Sequence, residues 1–323
     1  MVPYGKRKKA LSKNITSFIE RHVGQSPRKA AVCPFLLNGD CVMLKRYNIP
    51  TKQGKKMRWI AISDIHGCDD TLVHLLEKLQ AKPEELLFLG DYVDSGPNSV
   101  AVLRRLMQLA EQGATVLLGN HDVLLMDWLN GVEDIAYYMD VGGMATINSF
   151  LAALELPPVD VFSLRFSRQK EKEIQSLIQR EFAAELQFLA NRPLYEVRGS
   201  FLFVHAGIHP DKGLAASRKE ELLTIREEFI HHYRGDQFIV FGHTRTRRLH
   251  GTDHVYRGAN RVIGIDGGCA YGGQLNALII QDASSAAPVM SSTNRDDPFV
   301  LQEVFVRSIP GQGNHFVGNF VQR

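Results

Sequence analysis

The amino-acid sequence predicts an α/β fold, and two observations lead to that prediction. From Arg58 onward, short apolar runs alternate with amphipathic segments of helical length, in the order WIAIS, DDTLVHLLEKLQ, ELLFLG, NSVAVLRRLMQLAEQG and ATVLLG. Short apolar runs are typical of buried strands, and amphipathic segments of about ten residues or more are typical of helices packed on a sheet. The second observation is that polar clusters directly follow the apolar runs, where α/β sheets gather their ligands.

The elements follow one another in an order that is typical of a parallel sheet. The segment 58–119 predicts strand, helix, strand, helix, strand, in which Asn98 can cap the second helix and Gly113 suits the left-handed residue that ends it. Strand-like runs resume later as SFLFVH, QFIVFGH, RVIGID and NALII. The charged stretch between the two sets of strands, about 124–195, is broken mainly at Pro157-Pro158 and predicts a helical cap inserted beside the sheet.

Three segments of different composition divide the chain. Residues 57–282 carry the alternating pattern and form the predicted folded domain, and an Ala/Ser/Pro-rich stretch then opens a C-terminal extension at 283–323. Residues 1–56 hold thirteen Lys or Arg against two acidic residues, and predict a solvated, partly disordered extension with a hairpin at 31–46 around Asn38-Gly39. So basic a segment could instead contact nucleic acid or anionic lipid, and this alternative stays open.

The overall composition is that of a soluble globular protein. With 44% hydrophobic residues among 323, the chain can bury a sizeable core. Cys33, Cys41, Cys68 and Cys269 contain no C-x-x-C pair and are too few for a disulfide framework. No apolar run approaches the roughly 20 residues that a membrane helix needs. We therefore expect reduced thiols, no membrane span and a cytoplasmic location.

Polar clusters follow five of the predicted strands. Asp64-Ile65-His66-Gly67 follows WIAIS, Gly90-Asp91-Tyr92-Val93-Asp94 follows ELLFL, Gly119-Asn120-His121-Asp122 follows ATVLL, His205 ends FLFV, and His243 follows FIVFG. Taken singly, a histidine after a strand is usually a buried structural residue, and an aspartate such as Asp94 usually belongs to a turn. Strand ends of one open sheet converge on one crevice, so their joint placement predicts a single site.

The residue types in these clusters indicate a metal site. Carboxylate, imidazole and amide oxygen, with no thiolate, suit Mn²⁺, Fe or Zn²⁺ better than soft metals. Two such ions about 3.5–4 Å apart can share a carboxylate, generate hydroxide near neutral pH and clamp phosphoryl oxygens for an in-line displacement. The clusters contain enough ligands for both ions.

The order and spacing of the clusters resemble those of a known superfamily. D-x-H-G, G-D-x-V-D-x-G, G-N-H-D/E, V-H-A-G and F-G-H-T form the pattern of the calcineurin-like metallophosphoesterases, and here it spans about 58–280. More narrowly, the chain resembles the bacterial phosphoprotein phosphatases and their diadenosine tetraphosphate hydrolase relatives. The resemblance implies a sandwich of two mixed β-sheets flanked by helices, with a helical cap insertion.

The resemblance also implies a role for each site residue. Asp64, His66 and Asp91 would hold one divalent ion, and Asp91, Asn120, His205 and His243 the other, with Mn²⁺ as the expected metal. His121 would protonate the leaving alkoxide, and Asp94 would orient it. An acid is needed for that oxygen, and a histidine paired with a carboxylate can supply it at neutral pH. Arg226 and Asn120 would contact the substrate phosphate, Arg226 through its planar guanidinium.

One position departs from the family pattern. Many members have Asp-Arg-Gly where this chain has Asp94-Ser95-Gly96, so an expected phosphate-binding arginine is missing. Arg104 and Arg105 lie too far along the next helix, at about 1.5 Å of rise per residue, to replace it. Arg245, and with it Arg247, lies just past His243 and is better placed.

Three functions are compatible with the sequence. The first is metal-dependent hydrolysis of phosphate monoesters in phosphorylated proteins or peptides, on Ser/Thr or also Tyr, by a metal-bridging hydroxide; it is favoured because dinucleoside tetraphosphatases typically replace Asp94. The alternative is hydrolysis of bis(5'-nucleosyl) tetraphosphates such as diadenosine tetraphosphate. The third is a non-catalytic binding protein with a basic N-terminal arm, against which the intact ligand set argues.

Overall fold

The computed structural model describes residues 57–282 and 299–309. The basic segment 1–56, with the hairpin predicted at 31–46, lies outside these residues. The described strands form two five-stranded sheets. Both sheets mix parallel and antiparallel neighbours and are flanked by helices, which confirms the predicted α/β architecture.

The first sheet contains the β-α-β-α-β unit that the sequence predicts. Its strands are β1 (Arg58–Ile62), β2 (Leu86–Phe88), β3 (Thr115–Val116), β9 (Gln274–Asp282) and β10 (Phe299–Arg307), in the order β10-β9-β1-β2-β3. Helices α1 (Asp69–Leu79) and α2 (Ser99–Glu111) connect the parallel strands β1, β2 and β3. Ile60 pairs with Leu86 on one side and with Ile279 on the other, so β1 lies at the centre of the sheet. All three parallel strands therefore end at the same edge.

The first sheet continues beyond residue 282, where the sequence predicts the end of the folded domain. Strand β10 pairs with β9 along its whole length, from Phe299 opposite Asp282 to Arg307 opposite Gln274, and forms the edge of the first sheet. Phe299 and Leu301 are buried. The Ala/Ser/Pro-rich stretch before β10 interrupts the strand pattern in the sequence, and for that reason the last strand was assigned to an extension.

The second sheet carries the two later histidines. Its strands are β4 (Tyr195–Arg198), β5 (Phe201–Val204), β6 (Phe238–Phe241), β7 (Tyr256–Arg257) and β8 (Val262–Gly264), in the order β4-β5-β6-β8-β7. The central strands β5, β6 and β8 are parallel and read as continuous apolar runs because neither face meets water. His205 directly follows β5, and His243 lies two residues beyond β6.

The stretch between β3 and β4, all of it described, is helical. It comprises α3 (Asn120–Leu129), α4 (Ile135–Asp140), α5 (Gly143–Ala153), α6 (Val161–Phe166), α7 (Arg168–Glu181) and α8 (Ala183–Ala190). Helix α5 packs on α2 beside the first sheet. Its Ile147 and Phe150 are fully buried in the same apolar cluster as Ile60 and Leu103. This helical stretch is therefore built into the core of the first sheet.

The remaining elements are short. They are α9 (Lys219–Thr224), α10 (Glu227–His232), α11 (Thr246–His250) and single 3-10 turns at Pro83–Glu85, Leu214–Ala216 and Cys269–Tyr271. Phe229 of α10 packs with Phe241 of β6 in a second apolar cluster. Cys68 and Cys269 are buried free thiols, as expected, whereas Cys33 and Cys41 lie outside the described residues. Within the described part of the chain, no helix is long and apolar enough to span a membrane.

Candidate metal centre and active site

The predicted site residues come together where the strands end. Seven of them line one open cleft of about 190 Å³, namely Asp64, His66, Asp91, His121, Arg226, His243 and Arg245. Asn120 and His205 lie within hydrogen-bonding distance of each other, and His205 Nε2 is 3.4 Å from Asp91 Oδ1. Asp94 is fully buried beside His121. The structure thus brings together every residue that the sequence predicted for the metal centre and the acid.

The backbone turns sharply at the positions that carry the ligands. Nine non-glycine residues in the described segments have positive φ, and five of them are site residues: Asp64, His66, Asp91, Asp94 and His243. Side chains in the left-handed region cost energy and persist where the surrounding structure over-determines them. The strand ends are therefore held in a conformation that serves the site.

Asp91 occupies the centre of the cluster. Its Oδ1 is 3.4 Å from Nε2 of His205, and its Oδ2 is 3.7 Å from Nε2 of His66. Oδ1 thus faces the side of the site that contains His205, and Oδ2 faces the side that contains His66. Burial opposes ionisation of Asp91, but the positive charges that His205 and His121 carry when protonated outweigh it and hold the pKa of this carboxyl well below its usual value in the metal-free protein. An ionised carboxylate between two groups of ligands is suited to bridging two cations.

Backbone carbonyls fix the tautomers of two of the histidines. His66 Nδ1 is 2.8 Å from the carbonyl oxygen of Val93, and His205 Nδ1 is 2.8 Å from that of Leu89. A carbonyl oxygen can only accept, so each Nδ1 donates a hydrogen bond and the neutral ring presents the Nε2 lone pair to the site. This is the orientation in which histidine binds a metal.

Two observations show that the residues present fit a metal ion. Nε2 of His205 lies 2.9 Å from Asn120 Oδ1 and 3.4 Å from Asp91 Oδ1, so three acceptor atoms face one another. Nε2 of His243 is buried and has no hydrogen-bond partner among the described residues. Buried acceptors without donors are unfavourable, and a cation bound between them would satisfy all four atoms. Asp91, His205 and His243 form one group of candidate ligands, and His66, Asp91 and His121 form another.

Asp64 approaches the site from the end of β1. Both of its oxygens accept hydrogen bonds from the backbone N–H of His243, at 3.0 and 3.1 Å, and Ser63 Oγ donates to one of them. Burial, followed by the charges of Asp266 and Asp91, raises the pKa of Asp64 well above its usual value. A bound cation would offset the repulsion among these carboxylates and favour their ionised form, which agrees with a metal centre.

Two buried carboxylates of the site, Asp266 and Asp122, had no role predicted from the sequence. Asp266 follows β8 and lines the cleft, and burial raises its pKa to about 6. Asp122 accepts hydrogen bonds from the backbone N–H groups of Asp91, Tyr92 and Gly119, at 2.9–3.0 Å, and burial raises its pKa to about 7. Asp266 ends the strand-like run RVIGID, and Asp122 occupies a helix-capping position, so both carried a signal in the sequence.

Gly119 is required by the close approach of two loops. A Cβ atom at this position would lie 2.1 Å from the backbone nitrogen of Asp91 and 2.3 Å from its Oδ1. Only glycine lets the start of α3 pass so close to the loop after β2. The same approach lets the backbone N–H of His121 donate to Asp91 Oδ1 at 2.9 Å.

His121 and Asp94 form a hydrogen-bonded pair at the edge of the cleft. His121 Nδ1 is 2.8 Å from Asp94 Oδ2, and its ring packs edge-on against that of His66. Burial lowers the pKa of His121, but the charge of Asp91 and the hydrogen bond and charge of Asp94 outweigh it and raise this pKa to about 9. In the metal-free protein, His121 is therefore protonated at neutral pH.

This shift predicts a pH dependence of stability in the metal-free protein. The folded-state pKa of His121 is about 9, above the unfolded value of 6.5, so its contribution to the free energy of unfolding is complete below about pH 6.5 and is lost as pH rises towards about 9. The free energy of unfolding, measured with urea in the presence of a chelator, should fall between about pH 6 and about pH 9 by more in the wild type than in His121→Ala. Equal losses would contradict the raised pKa.

Arginine side chains line the opposite part of the cleft. Arg226 Nη1 donates to the carbonyl oxygen of His243 at 2.8 Å, and the guanidinium of Arg245 lies 4.7 Å from the ring centre of Tyr271. Arg248 also lines the cleft, although the sequence analysis did not single it out. Burial, with the charge of Arg248 in second place, lowers the pKa of Arg226. These cations lie beside the candidate metal ligands.

The other arginines considered in the sequence analysis point elsewhere. Arg104 pairs with Glu185 at 2.9 Å, and Arg105 with Asp69 at 2.8 Å, so neither replaces the missing phosphate-binding arginine. Arg247 is engaged with Asp253 at 2.7 Å. Ser95 has φ 66° and lies with its Oγ 3.2 Å from the hydroxyl oxygen of Tyr271. Of the pair Arg245 and Arg247, only Arg245 lines the cleft.

Comparison with known proteins assigns the chain to a family. The family model described as calcineurin-like phosphoesterase matches residues 57–269. The chain belongs to this family. Members of the calcineurin-like phosphoesterase family are hydrolases, and membership implies a dinuclear centre of divalent metal ions, for which the two groups of candidate ligands are available.

The chain is similar to three proteins that bear on its function. A Bacillus velezensis protein described as the asymmetrical bis(5'-nucleosyl)-tetraphosphatase PrpE is 29% identical over 274 residues, which cover 75% of this chain and 98% of that protein. A Glaesserella parasuis protein described as a symmetrical bis(5'-nucleosyl)-tetraphosphatase is 31% identical over 52% of this chain and 53% of its own length. A crystal structure described as that of a candidate diadenosine tetraphosphatase aligns with TM-score 0.50 and 22% identity, covering 79% and 95% of the two chains; this likeness concerns the fold.

Proposed function

We propose that the protein hydrolyses dinucleoside polyphosphates, cleaving the phosphate chain of a bis(5'-nucleosyl) tetraphosphate. The observation that carries this proposal is that three guanidinium groups, those of Arg226, Arg245 and Arg248, line the same cleft as the candidate metal ligands. Guanidinium groups bind phosphate oxygens through paired, charge-assisted hydrogen bonds. A chain of four phosphates offers more negative charge to such a cleft than a single phosphate monoester does.

The names of the similar proteins support the same substrate. The Bacillus velezensis protein aligns over almost its whole length and is described as a tetraphosphatase, and a Bacillus subtilis protein with the same description is 28% identical over 90% of its length. These relatives support the alternative hypothesis of the sequence analysis better than its first hypothesis, phosphoprotein hydrolysis. The first hypothesis depended on Asp94 alone.

In the proposed mechanism, six residues would hold two divalent ions. Asp64, His66 and Asp91 are assigned to one ion, and Asp91, Asn120, His205 and His243 to the other. Mn²⁺ is the proposed metal, with Fe or Zn²⁺ as alternatives, because these ligands offer oxygen and imidazole nitrogen and no thiolate. When bound, such a pair supplies Lewis-acid stabilisation of phosphoryl charge and lowers the pKa of water.

The chain's own groups position the substrate and move the proton. Arg226 is fixed by the carbonyl oxygen of His243 and keeps further N–H donors for phosphate oxygens. Arg245 lies over the ring of Tyr271, 4.7 Å from the ring centre, and offers a second guanidinium where Ser95 offers none. His121 has Nδ1 engaged by Asp94, so Nε2 is the atom that faces the leaving oxygen, as a hydrogen-bond donor to a leaving phosphate and as a proton donor where an alkoxide leaves.

A second candidate function has one specific observation in its favour. Cleavage of a phosphoanhydride releases a phosphate whose second pKa is about 6, and such a group leaves without a proton. An alkoxide leaving from phosphoserine or phosphothreonine must be protonated. The His121–Asp94 pair is built as such an acid, so hydrolysis of phosphate monoesters in proteins or peptides remains the second candidate.

A substrate panel tests the two candidates against each other. With Mn²⁺ present, we expect kcat/KM for diadenosine tetraphosphate to exceed that for a phosphoserine peptide by at least about tenfold, a difference of about 1.4 kcal/mol in transition-state binding. Activity should disappear with a chelator. A higher value for the phosphopeptide would establish the second candidate instead. Absence of metal-dependent hydrolysis of both substrates, and of an aryl phosphate, would overturn both proposals.

Arg245→Ala is expected to raise KM for diadenosine tetraphosphate by about tenfold or more, with kcat little changed. A hydrogen bond to a charged group contributes about 1.5–3 kcal/mol, and a contact made equally in the ground and transition states appears in KM alone. Steady-state kinetics measures both constants. Arg247→Ala is the matched control, because Arg247 is engaged with Asp253 and does not line the cleft. An unchanged KM in Arg245→Ala would remove this residue from phosphate binding.

A further inference from the structure

Asp94 has a second set of contacts besides its hydrogen bond to His121. Its Oδ1 accepts a hydrogen bond from the hydroxyl of Tyr138 at 2.8 Å and another from Thr146 Oγ1 at 2.9 Å. Tyr138 lies on α4 and Thr146 on α5, both in the helical stretch between the two groups of strands. One carboxylate oxygen is thus occupied by two donors, and the other faces His121 alone.

The hydroxyl of Thr146 uses all of its hydrogen-bonding capacity, and two of its three contacts are with Asp94. The single hydrogen of Thr146 Oγ1 goes to Asp94 Oδ1, while its lone pairs accept from the backbone N–H of Asp94 at 2.7 Å and face Ser99 Oγ at 3.0 Å. A hydroxyl has one donor and two acceptor positions, and all three are used. Thr146 therefore fixes both the backbone and the side chain of Asp94, whose φ is 69°.

The ring of Tyr138 is held in place from two sides. It stacks on Trp128 of α3, with ring centres 5.2 Å apart and an angle of 18° between the planes. On another side the backbone approaches so closely that a Cβ atom at Gly143 would lie 2.5 Å from the ring. Tyr138 is fully buried, and burial, together with the charge of Asp94, keeps its pKa well above the usual value. Its hydroxyl therefore remains a donor.

We propose that Tyr138 and Thr146 are positioning residues for the catalytic acid. By occupying Oδ1 of Asp94 they leave Oδ2 as the oxygen that meets His121, and they fix the plane of the carboxylate against rotation. The direction of the imidazole, and so the direction in which Nε2 delivers its proton, follows from that plane. This inference rests on the proposed role of His121 as the acid.

Through these contacts, the helical stretch between β3 and β4 in the sequence helps to orient the proposed acid. A buried carboxylate is costly unless hydrogen bonds satisfy it, and neither donor comes from the loop that carries Asp94. They come from positions 44 and 52 residues later. A shift of α4 or α5 would therefore misalign the acid without disturbing the candidate metal ligands, which lie at the ends of strands and at the start of α3.

The test uses the dependence of the rate on the leaving group. A misaligned acid slows substrates whose leaving oxygen needs a proton, and hardly affects those whose leaving group departs as a stable anion. With Mn²⁺ present, Tyr138→Phe is expected to lower kcat for phenyl phosphate by about tenfold and kcat for 2,4-dinitrophenyl phosphate by less than about twofold. Thr146→Val should behave in the same way, whereas Thr146→Ser, which keeps the hydroxyl, should restore the wild-type pattern.

Two comparisons separate positioning from a general structural effect. Tyr233→Phe is the matched control, because Tyr233 is buried and its hydroxyl donates to the carbonyl of Gln237 in the second apolar cluster; its kinetics should match the wild type. In a His121→Ala background, Tyr138→Phe should cost less than about a further twofold, since residues that act through one another are not additive. The inference would be overturned if Tyr138→Phe lowered kcat equally for both aryl phosphates. It would also be overturned if Tyr138→Phe caused the full loss of about tenfold in the His121→Ala background.

The same experiment distinguishes failure of this inference from failure of the proposed acid. If His121→Ala slows phenyl phosphate far more than 2,4-dinitrophenyl phosphate but Tyr138→Phe does not, His121 is the acid and Tyr138 does not position it. If His121→Ala shows no dependence on the leaving group, the proposed acid is wrong and the positioning role is overturned with it. Far-ultraviolet circular dichroism and metal content should be unchanged in Tyr138→Phe.

Discussion

His121→Ala is expected to lower kcat for phenyl phosphate by about 10²–10³-fold, which is within the range of general acid catalysis, while the bound metal content stays the same. Nδ1 of His121 is engaged by Asp94 at 2.8 Å, so Nε2 is free to protonate the leaving oxygen. Alanine removes this proton donor and none of the six proposed ligands. Steady-state kinetics with Mn²⁺ measures the first quantity, and inductively coupled plasma mass spectrometry the second.

Metal content decides between two roles for His121. Its ring nitrogen lies close enough to the ligand atoms of His66 and Asp91 for the three residues to hold an ion together. If His121→Ala loses one ion per chain, His121 is a ligand and the assignment as an acid is wrong. If both ions stay and turnover of 2,4-dinitrophenyl phosphate is nearly retained, the acid role is established.

The part of the site that the sequence predicted is the part that strand ends determine. Asp64, Asp91 and Asn120 follow three apolar runs that form parallel neighbours in one sheet, and parallel strands end at one edge. His205 and His243 follow two neighbouring parallel strands of the second sheet. Local pattern was enough here because the position of each residue along its strand fixes its place in the fold.

The contacts that the sequence did not predict depend on how helices pack. Tyr138 and Thr146 reach Asp94 from α4 and α5, and nothing in a helical pattern shows which polar residue on it will turn towards a buried carboxylate 44 or 52 positions earlier. Strand β10 was missed because the sequence preceding it lacks any strand pattern, although it completes the first sheet.

The substrate is harder to predict from the sequence than the type of reaction, and the reason is physical. Hydrolysis at a phosphoryl centre needs ligands and a cleft, which the clusters encode directly. In the proposed function, selection between substrates depends on groups such as Arg245, in the turn between β6 and α11, and Arg248, within α11. A single residue, Asp94, was too little to decide between a phosphoprotein and a dinucleoside polyphosphate.

Asp91→Ala is expected to release both ions and to lower kcat by at least about 10³-fold. Asp91 is the residue that the two candidate ligand groups share, with Oδ1 facing His205 and Oδ2 facing His66. Its loss also removes the negative charge on which both ions depend, because Coulomb attraction is strong in a buried site. Metal content by mass spectrometry and turnover with added Mn²⁺ measure the outcome.

Variants at other ligands make the prediction for Asp91 specific. His243→Ala removes a ligand from one group alone, so it should release one ion and keep the other, whereas Asp211→Ala, at an exposed position after β5, should keep both. Near-ultraviolet circular dichroism should show that Asp91→Ala is folded. If Asp91→Ala retained one ion, the carboxylate would belong to one metal only, and the centre would have to be bridged by something other than this side chain.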